Sequence, residues 1–171
     1  MRTTVATCIL VLLAIGVSAE AQSILPPVAC QIMVEDPNED SRPGRRPGAG
    51  ISAAITDDVT VTVLFPPALR GDHMLTLHFF TPRGHLYQSM NVPISDTPGL
   101  HQVPGYPRPL PAKVPVPMTV NRQPFRGVRI TFPVGGTSIT ENSLYGSWQI
   151  LAFLNAAKKA CSQPYRMEIA P

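Results

Sequence analysis

Apolar and polar positions along this chain form a series of short alternations with a period of two, each stopped by proline, glycine or a polar cluster. The first run covers residues 28–34. The clearest covers 59–65, where Val59, Val61, Val63 and Phe65 share one face, Thr60 and Thr62 take the other, and Pro66-Pro67 ends the run. Such alternation predicts a half-buried strand. Residues 74–80 and 85–92 are separated by Thr81-Pro82-Arg83-Gly84. Proline second and glycine fourth predict a type I turn, and so a hairpin. In that hairpin Phe80 opposes His85 and His78 opposes Tyr87, leaving Leu75, Leu77, Phe79 and Leu86 on the opposite, more apolar face. Residues 126–132 alternate Val128, Ile130 and Phe132 with polar neighbours. Residues 148–154 are apolar on both faces, as in a central strand. Residues 165–169 place Tyr165, Met167 and Ile169 inward against Arg166 and Glu168.

The segments between these runs read as loops. Residues 35–50 are polar, then rich in arginine, proline and glycine, and predict a flexible loop containing Arg42, Arg45 and Arg46. Residues 95–117 carry seven prolines and no apolar period, which predicts an extended, partly polyproline-like connection. Residues 135–143 form a turn region, and 155–162 turn the chain with one helical turn over 156–160. Twenty prolines in 171 residues exclude long helices from most of the chain. Seven short strands with long Pro-rich loops, no internal repeat and no second domain make the fold class all-β, a single β-sandwich.

The N-terminus changes the compartment. A basic start, an apolar run over residues 5–17 and the small-residue stretch ending at Ala21 predict a signal peptide over 1–21, cleaved after Ala19 or Ala21. The mature domain is then 22–171, and the apolar run is too short to span a bilayer, so no transmembrane segment is expected in the mature chain. Cys8 leaves with the signal peptide. Cys30 and Cys161 remain and predict one disulfide in a secreted or periplasmic protein. The full chain has a net charge of +3, and cleavage after Ala19 removes Arg2, leaving +2, while cleavage after Ala21 also removes Glu20 and restores +3. So small a charge excludes nucleic acid as an expected partner.

Residues 144–154, with Gly146-x-Trp148-x-Ile150, followed by a turn and the strand 165–169, resemble the closing hairpin of immunoglobulin-like and fibronectin-III-like domains. They are similar as well to small immunoglobulin-like modules of bacterial secreted and envelope proteins. The resemblance implies a seven-stranded immunoglobulin-like sandwich. First and last strands are parallel neighbours in many such sandwiches, where Cys30 and Cys161 can meet. This placement departs from antibody domains, whose internal bridge joins the sheets in mid-strand. The resemblance also implies a non-enzymatic binding or interaction module, whose edges and long loops contact an unknown protein or glycan partner in the envelope.

Candidate chemistry is sparse. Phe80 and Tyr87, joined by Tyr106 of the Pro-rich connection, are the candidate ligand surface. Were they exposed together they would suit an alternative role as a carbohydrate-binding module. Asp36, Asn38 and Asp40 open a calcium-type loop, but Ser41 stands where its glycine belongs and Pro47 where its bidentate glutamate belongs. His78 and His85 fall diagonally across the predicted hairpin, within reach of a transition metal, whereas His73 has the wrong parity and His101 lies apart. Asp72-His73 with a serine suggests a hydrolase only in composition, since no G-x-S-x-G or H-E-x-x-H is present. The expectation is no enzyme, no catalytic residues, no cofactor and no metal, with a metal-dependent enzyme the least favoured alternative.

Overall fold

The computed structural model describes residues 29–38 and 50–171. The predicted signal peptide, Cys8, Asp40 and the three loop arginines lie outside them. Along the described chain run β1 (Gln31–Glu35), β2 (Ile51–Ser52), β3 (Asp58–Phe65), β4 (His73–Phe80), β5 (Leu86–Ile94), β6 (Leu100–His101), β7 (Leu110–Pro111), β8 (Val116–Val120), β9 (Gln123–Pro133), α1 (Ser138–Glu141), β10 (Gly146–Leu154) and β11 (Tyr165–Ala170).

The strands build an all-β sandwich. One sheet has the order β1-β3-β9-β8, the other β2-β11-β10-β4-β5. Every pairing within them is antiparallel except β2 with β11. The period-two pattern explains the layering, because alternate residues of each strand meet in one shared core. The first sheet supplies Val59, Val61, Val63, Phe65, Val128, Ile130 and Phe132; the second supplies Leu75, Leu77, Phe79, Trp148, Ile150, Met167 and Ile169. Phe79 stacks on Phe132 across the gap with centroids 4.1 Å apart and planes 4° from parallel. Trp148 is fully buried and donates its indole N–H to Leu144 O at 2.8 Å, so its one polar atom is satisfied.

The two ends of the sandwich are closed differently. At the C-terminal end of β9, Thr137 caps α1 by accepting from the Ile139 N–H, and Ile139 plugs the core. At the N-terminal end of β9, Arg126 occupies the position that continues the inward row of Val128, Ile130 and Phe132.

The disulfide expected from the sequence is present between Cys30 and Cys161, with Cα atoms 5.1 Å apart. Its place differs from the expectation. The parallel neighbour of the last strand is β2, whereas β1 pairs with β3 in the opposite sheet. Cys30 enters β1 of the four-stranded sheet. Cys161 lies between β10 and β11 of the five-stranded one, and its N–H bonds Ala152 O. The bridge therefore ties sheet to sheet.

Three further expectations are corrected. The stretch 95–117 is not unpaired throughout. β6 pairs with β7, and Val103-Pro104-Gly105-Tyr106 makes a turn closed by Tyr106 N–H to Val103 O, with Gly105 at φ 84° as a type II turn requires. The strand at 126–132 begins earlier, as the second arm of a β8–β9 hairpin. Asn121 and Arg122, both at positive φ, form its two-residue turn, which lacks the usual glycine and so left little trace in the sequence. Residues 156–160 form no helical turn. Asn155 and Ala156 are both left-handed, and Asn155 bonds the Met74 backbone with its N–H and its side-chain oxygen, closing the end of β4 instead.

Candidate functional site

The β4–β5 hairpin decides what the predicted site residues can do. Its turn forms as expected, with Gly84 N–H to Thr81 O at 2.8 Å and Thr81 N–H to His85 O at 2.9 Å. Gly84 adopts φ 81°, adding a residue to the turn, and a second irregularity at Phe79/Phe80 leaves Leu86 and Tyr87 together opposite Phe80. The observed pairs are Phe80 with Leu86, Phe79 with Gln88 and His78 with Ser89, not Phe80 with His85 or His78 with Tyr87. The extra residue exchanges the expected faces of Leu86 and Tyr87. Tyr87 turns inward, edge-on to Trp148 at 5.0 Å and to Phe132 at 6.3 Å, and its hydroxyl meets Ser138 Oγ at 2.6 Å. Leu86 turns outward and is 53% exposed.

The candidate surface of Phe80, Tyr87 and Tyr106 is thus not assembled as one platform. Phe80 stays on the outer face, Tyr87 packs at the core, and Tyr106 sits in the turn after β6. What accompanies Phe80 is a stripe on the outer face of the five-stranded sheet. His78 lies against Phe153 at 4.8 Å and edge-on to Phe80 at 6.2 Å; Leu151 pairs with His78 on β10, and Leu86 extends the stripe past Phe80. Phe80, His78, Phe153 and Leu151 are half-buried, with no protein layer above them among the described residues. The signal for Leu151 and Phe153 was visible: they are out of phase with Trp148, Ile150 and Ala152 on a strand that reads as apolar on both sides.

The histidines do not converge. His73 is held between Arg70 O and the Asn155 side chain, His78 lies in the stripe, and His85 closes the turn. Among the described residues no three His, Cys, Asp or Glu side chains are placed to hold a metal. Asp36 accepts from the Asn38 N–H and from the buried Thr56 hydroxyl, an arrangement that fixes the end of β1 against the chain before β3.

A polar clamp closes the end of the sandwich where β9 begins. The Arg126 guanidinium donates to Leu69 O at 2.7 Å and to Pro115 O at 3.4 Å, and pairs with Asp96 at 2.6 Å. Asp96 also accepts the Gly71 N–H at 2.7 Å, and Arg70 stands 3.8 Å away. The Gly71 N–H first, then the Arg126 hydrogen bond and the nearby positive charges, hold the Asp96 carboxyl below its ordinary 3.8. A carboxylate depressed in the folded state stabilises above its unfolded pKa, and that stability fades as pH falls through the folded value. We therefore expect Asp96→Asn to be less stable than wild type by a constant margin above about pH 5, the margin shrinking as pH falls below the ordinary aspartate value. Urea titrations of both chains from pH 7 to pH 3 measure it; a margin that grows on acidification would contradict the assignment.

Among the described residues no helix is long and apolar enough to cross a membrane. No protein-family model matches this chain, and no curated protein or solved structure matches it.

Proposed function

We propose that the chain is a secreted or periplasmic immunoglobulin-like module that binds a protein partner and carries out no chemistry of its own. The strand order supports the family reading. Immunoglobulin sandwiches set strands A, B, E and D against G, F and C, with C′ added in variable domains. Here β1, β3, β9 and β8 fall in the first order and β11, β10, β4 and β5 in the second. The disulfide fits an oxidising compartment.

The observation that carries the binding reading is the outer-face stripe of Phe153, His78, Phe80 and Leu86. Half-exposed aromatic and aliphatic side chains grouped on a rigid sheet are what a docking surface needs, because the anchors are already ordered before binding. A protein partner is favoured over a glycan, since Tyr87 is withdrawn into the core and the remaining rings do not offer one stacking plane.

Affinity capture from the native envelope fraction tests this. The immobilised mature domain should retain a defined protein that the double variant Phe80→Ser/Phe153→Ser no longer retains, with both chains melting as folded domains. Equal capture by the double variant would move the surface elsewhere, and retention of polysaccharide in place of protein would favour the carbohydrate-binding alternative.

A further inference from the structure

We infer that the edge of β5, which no described strand pairs beyond Ile94, takes up an extended peptide as an added strand, an inference that rests on the binding-module reading above. Backbone direction follows from the ladder. Asn155 N–H bonds Met74 O, so even-numbered residues of β4 turn toward β10 and odd-numbered ones toward β5. Their opposites on β5, namely Gln88, Met90, Val92 and Ile94, turn inward to β4. Ser89, Asn91 and Pro93 must then turn their backbone groups outward, away from the sheet. Pro93 confirms the parity, because its carbonyl accepts the Lys113 N–H at 2.8 Å and Lys113 O accepts from Ser95 N–H at 3.2 Å.

The chain itself has begun to add a strand at this edge and stopped. Residues 112–113 run parallel to the end of β5 through the Ile94–Lys113 bridge. The next parallel step would need donors from residue 111 and residue 93, and both are proline. Beyond that block the N–H and C=O groups of Ser89 and Asn91 point outward, and no described residue takes them. The opposite end of the other sheet is defended. On β8 the Val120–Gln123 pair closes the hairpin, so the outward positions are Thr119 and Pro117, with Pro115 next in line. β1 is shorter, and Cys30 pins its entrance to Cys161.

The partner's chemistry follows from what flanks the edge. Met90 and Val92 are half-buried at the rim of the core, so a strand laid beside them covers them with its inward side chains. On the outer side it meets Ser89 and Asn91. The fit is to a short segment with apolar residues at alternate positions and no proline where donors are required. A second copy of this chain fits poorly. Antiparallel pairing of two β5 strands about Met90 would set the partner's residue 87 opposite Pro93, where Lys113 already lies.

The probe is a synthetic peptide with the sequence of β3, Asp58–Phe65, titrated into the ¹⁵N-labelled mature protein. Saturable shifts and slowed exchange at the Ser89 and Asn91 amides are expected, absent with the same peptide N-methylated along its length. The variant Ser89→Pro removes only an outward donor, as Pro93 does naturally, so the ladder to β4 stays whole; it should weaken binding at least tenfold at an unchanged melting temperature. No shift at Ser89 or Asn91 up to millimolar peptide, undiminished binding by Ser89→Pro, or shifts centred on Ile32 and Val34 would overturn the inference. So would protection of Ser89 and Asn91 that rises with protein concentration alone, which would mean self-association. Envelope capture that depends on Phe80 and Phe153 while the peptide fails leaves the module reading standing and removes the edge assignment alone; failure of wild-type capture removes the former.

Discussion

Replacing Cys30 and Cys161 together with alanine is expected to lower the stability of the sandwich by about 3–5 kcal/mol. The bond spans a sequence separation of 131, and in the chain-entropy model a loop of that size restricts the unfolded chain by roughly 5 kcal/mol, part of which native strain commonly offsets. The location adds a local reason. β1 has five residues and pairs with one strand, β3; the Asp36–Thr56 contact holds its far end, so without the bridge its entrance is tied to the opposite sheet by the Cys30 N–H to Cys161 O bond. Cys30 is only 6% exposed, so alanine also leaves a small void. Thermal unfolding should show the double variant melting about 10 °C below the oxidised wild type. Reduced wild type should melt close to the variant. Amide exchange should quicken first at Gln31 and Met33, which bond to β3 at the end of β1 that the bridge holds. A double variant melting with the wild type would mean the bridge constrains little.

The placement of the cysteines shows what a linear reading can reach. Alternation in 59–65, 74–80, 126–132, 148–154 and 165–169 was enough to find the core, because a strand buried on one side must repeat every second residue. Trp148, Phe79 and Phe132 fell inside as the pattern requires. Sheet membership was not legible. Nothing local in Gln31–Glu35 says that it pairs with β3 while Ile51–Ser52 runs beside the last strand; that choice belongs to packing between segments far apart in sequence. The candidate site failed on a single residue. The residue that the left-handed Gly84 adds to the turn moved Tyr87 to the core and Leu86 to the surface, since a one-residue shift reverses the faces beyond it, and the second shift at Phe79/Phe80 restores them from Gln88 onward. Phe80 lies ahead of the irregularity and kept its predicted face. The Arg126 clamp is not legible in the sequence for another reason: its partners come from three separate loops, and no spacing along the chain connects Leu69, Asp96 and Pro115 to Arg126.

That clamp carries the second large effect. Arg126→Met retains the aliphatic stem and removes the guanidinium, whose side chain is only 10% exposed. Leu69 O and Pro115 O then lose their donor, while Asp96, with a third of its side chain exposed, turns to water. Breaking a buried charge-paired group by deleting one partner commonly costs about 3–5 kcal/mol; the accessibility of Asp96 argues for the lower end, about 3 kcal/mol. Arg126→Lys should recover only part of this, because a single ammonium cannot reach two carbonyls and a carboxylate in one plane. In the double variant Arg126→Met/Asp96→Asn the further loss should be smaller than Asp96→Asn causes alone, the interaction having already gone. Chemical denaturation of the four chains measures the cycle, and strict additivity would show that the pair is not coupled. The clamp reaches beyond stability. Pro115 follows directly on the segment whose Lys113 closes the lower end of the β5 edge, so a chain lacking Arg126 should let residues 112–113 leave Pro93. The Lys113 amide should then exchange faster than in wild type, while Val92 and Ile94, bonded inward to β4, remain protected.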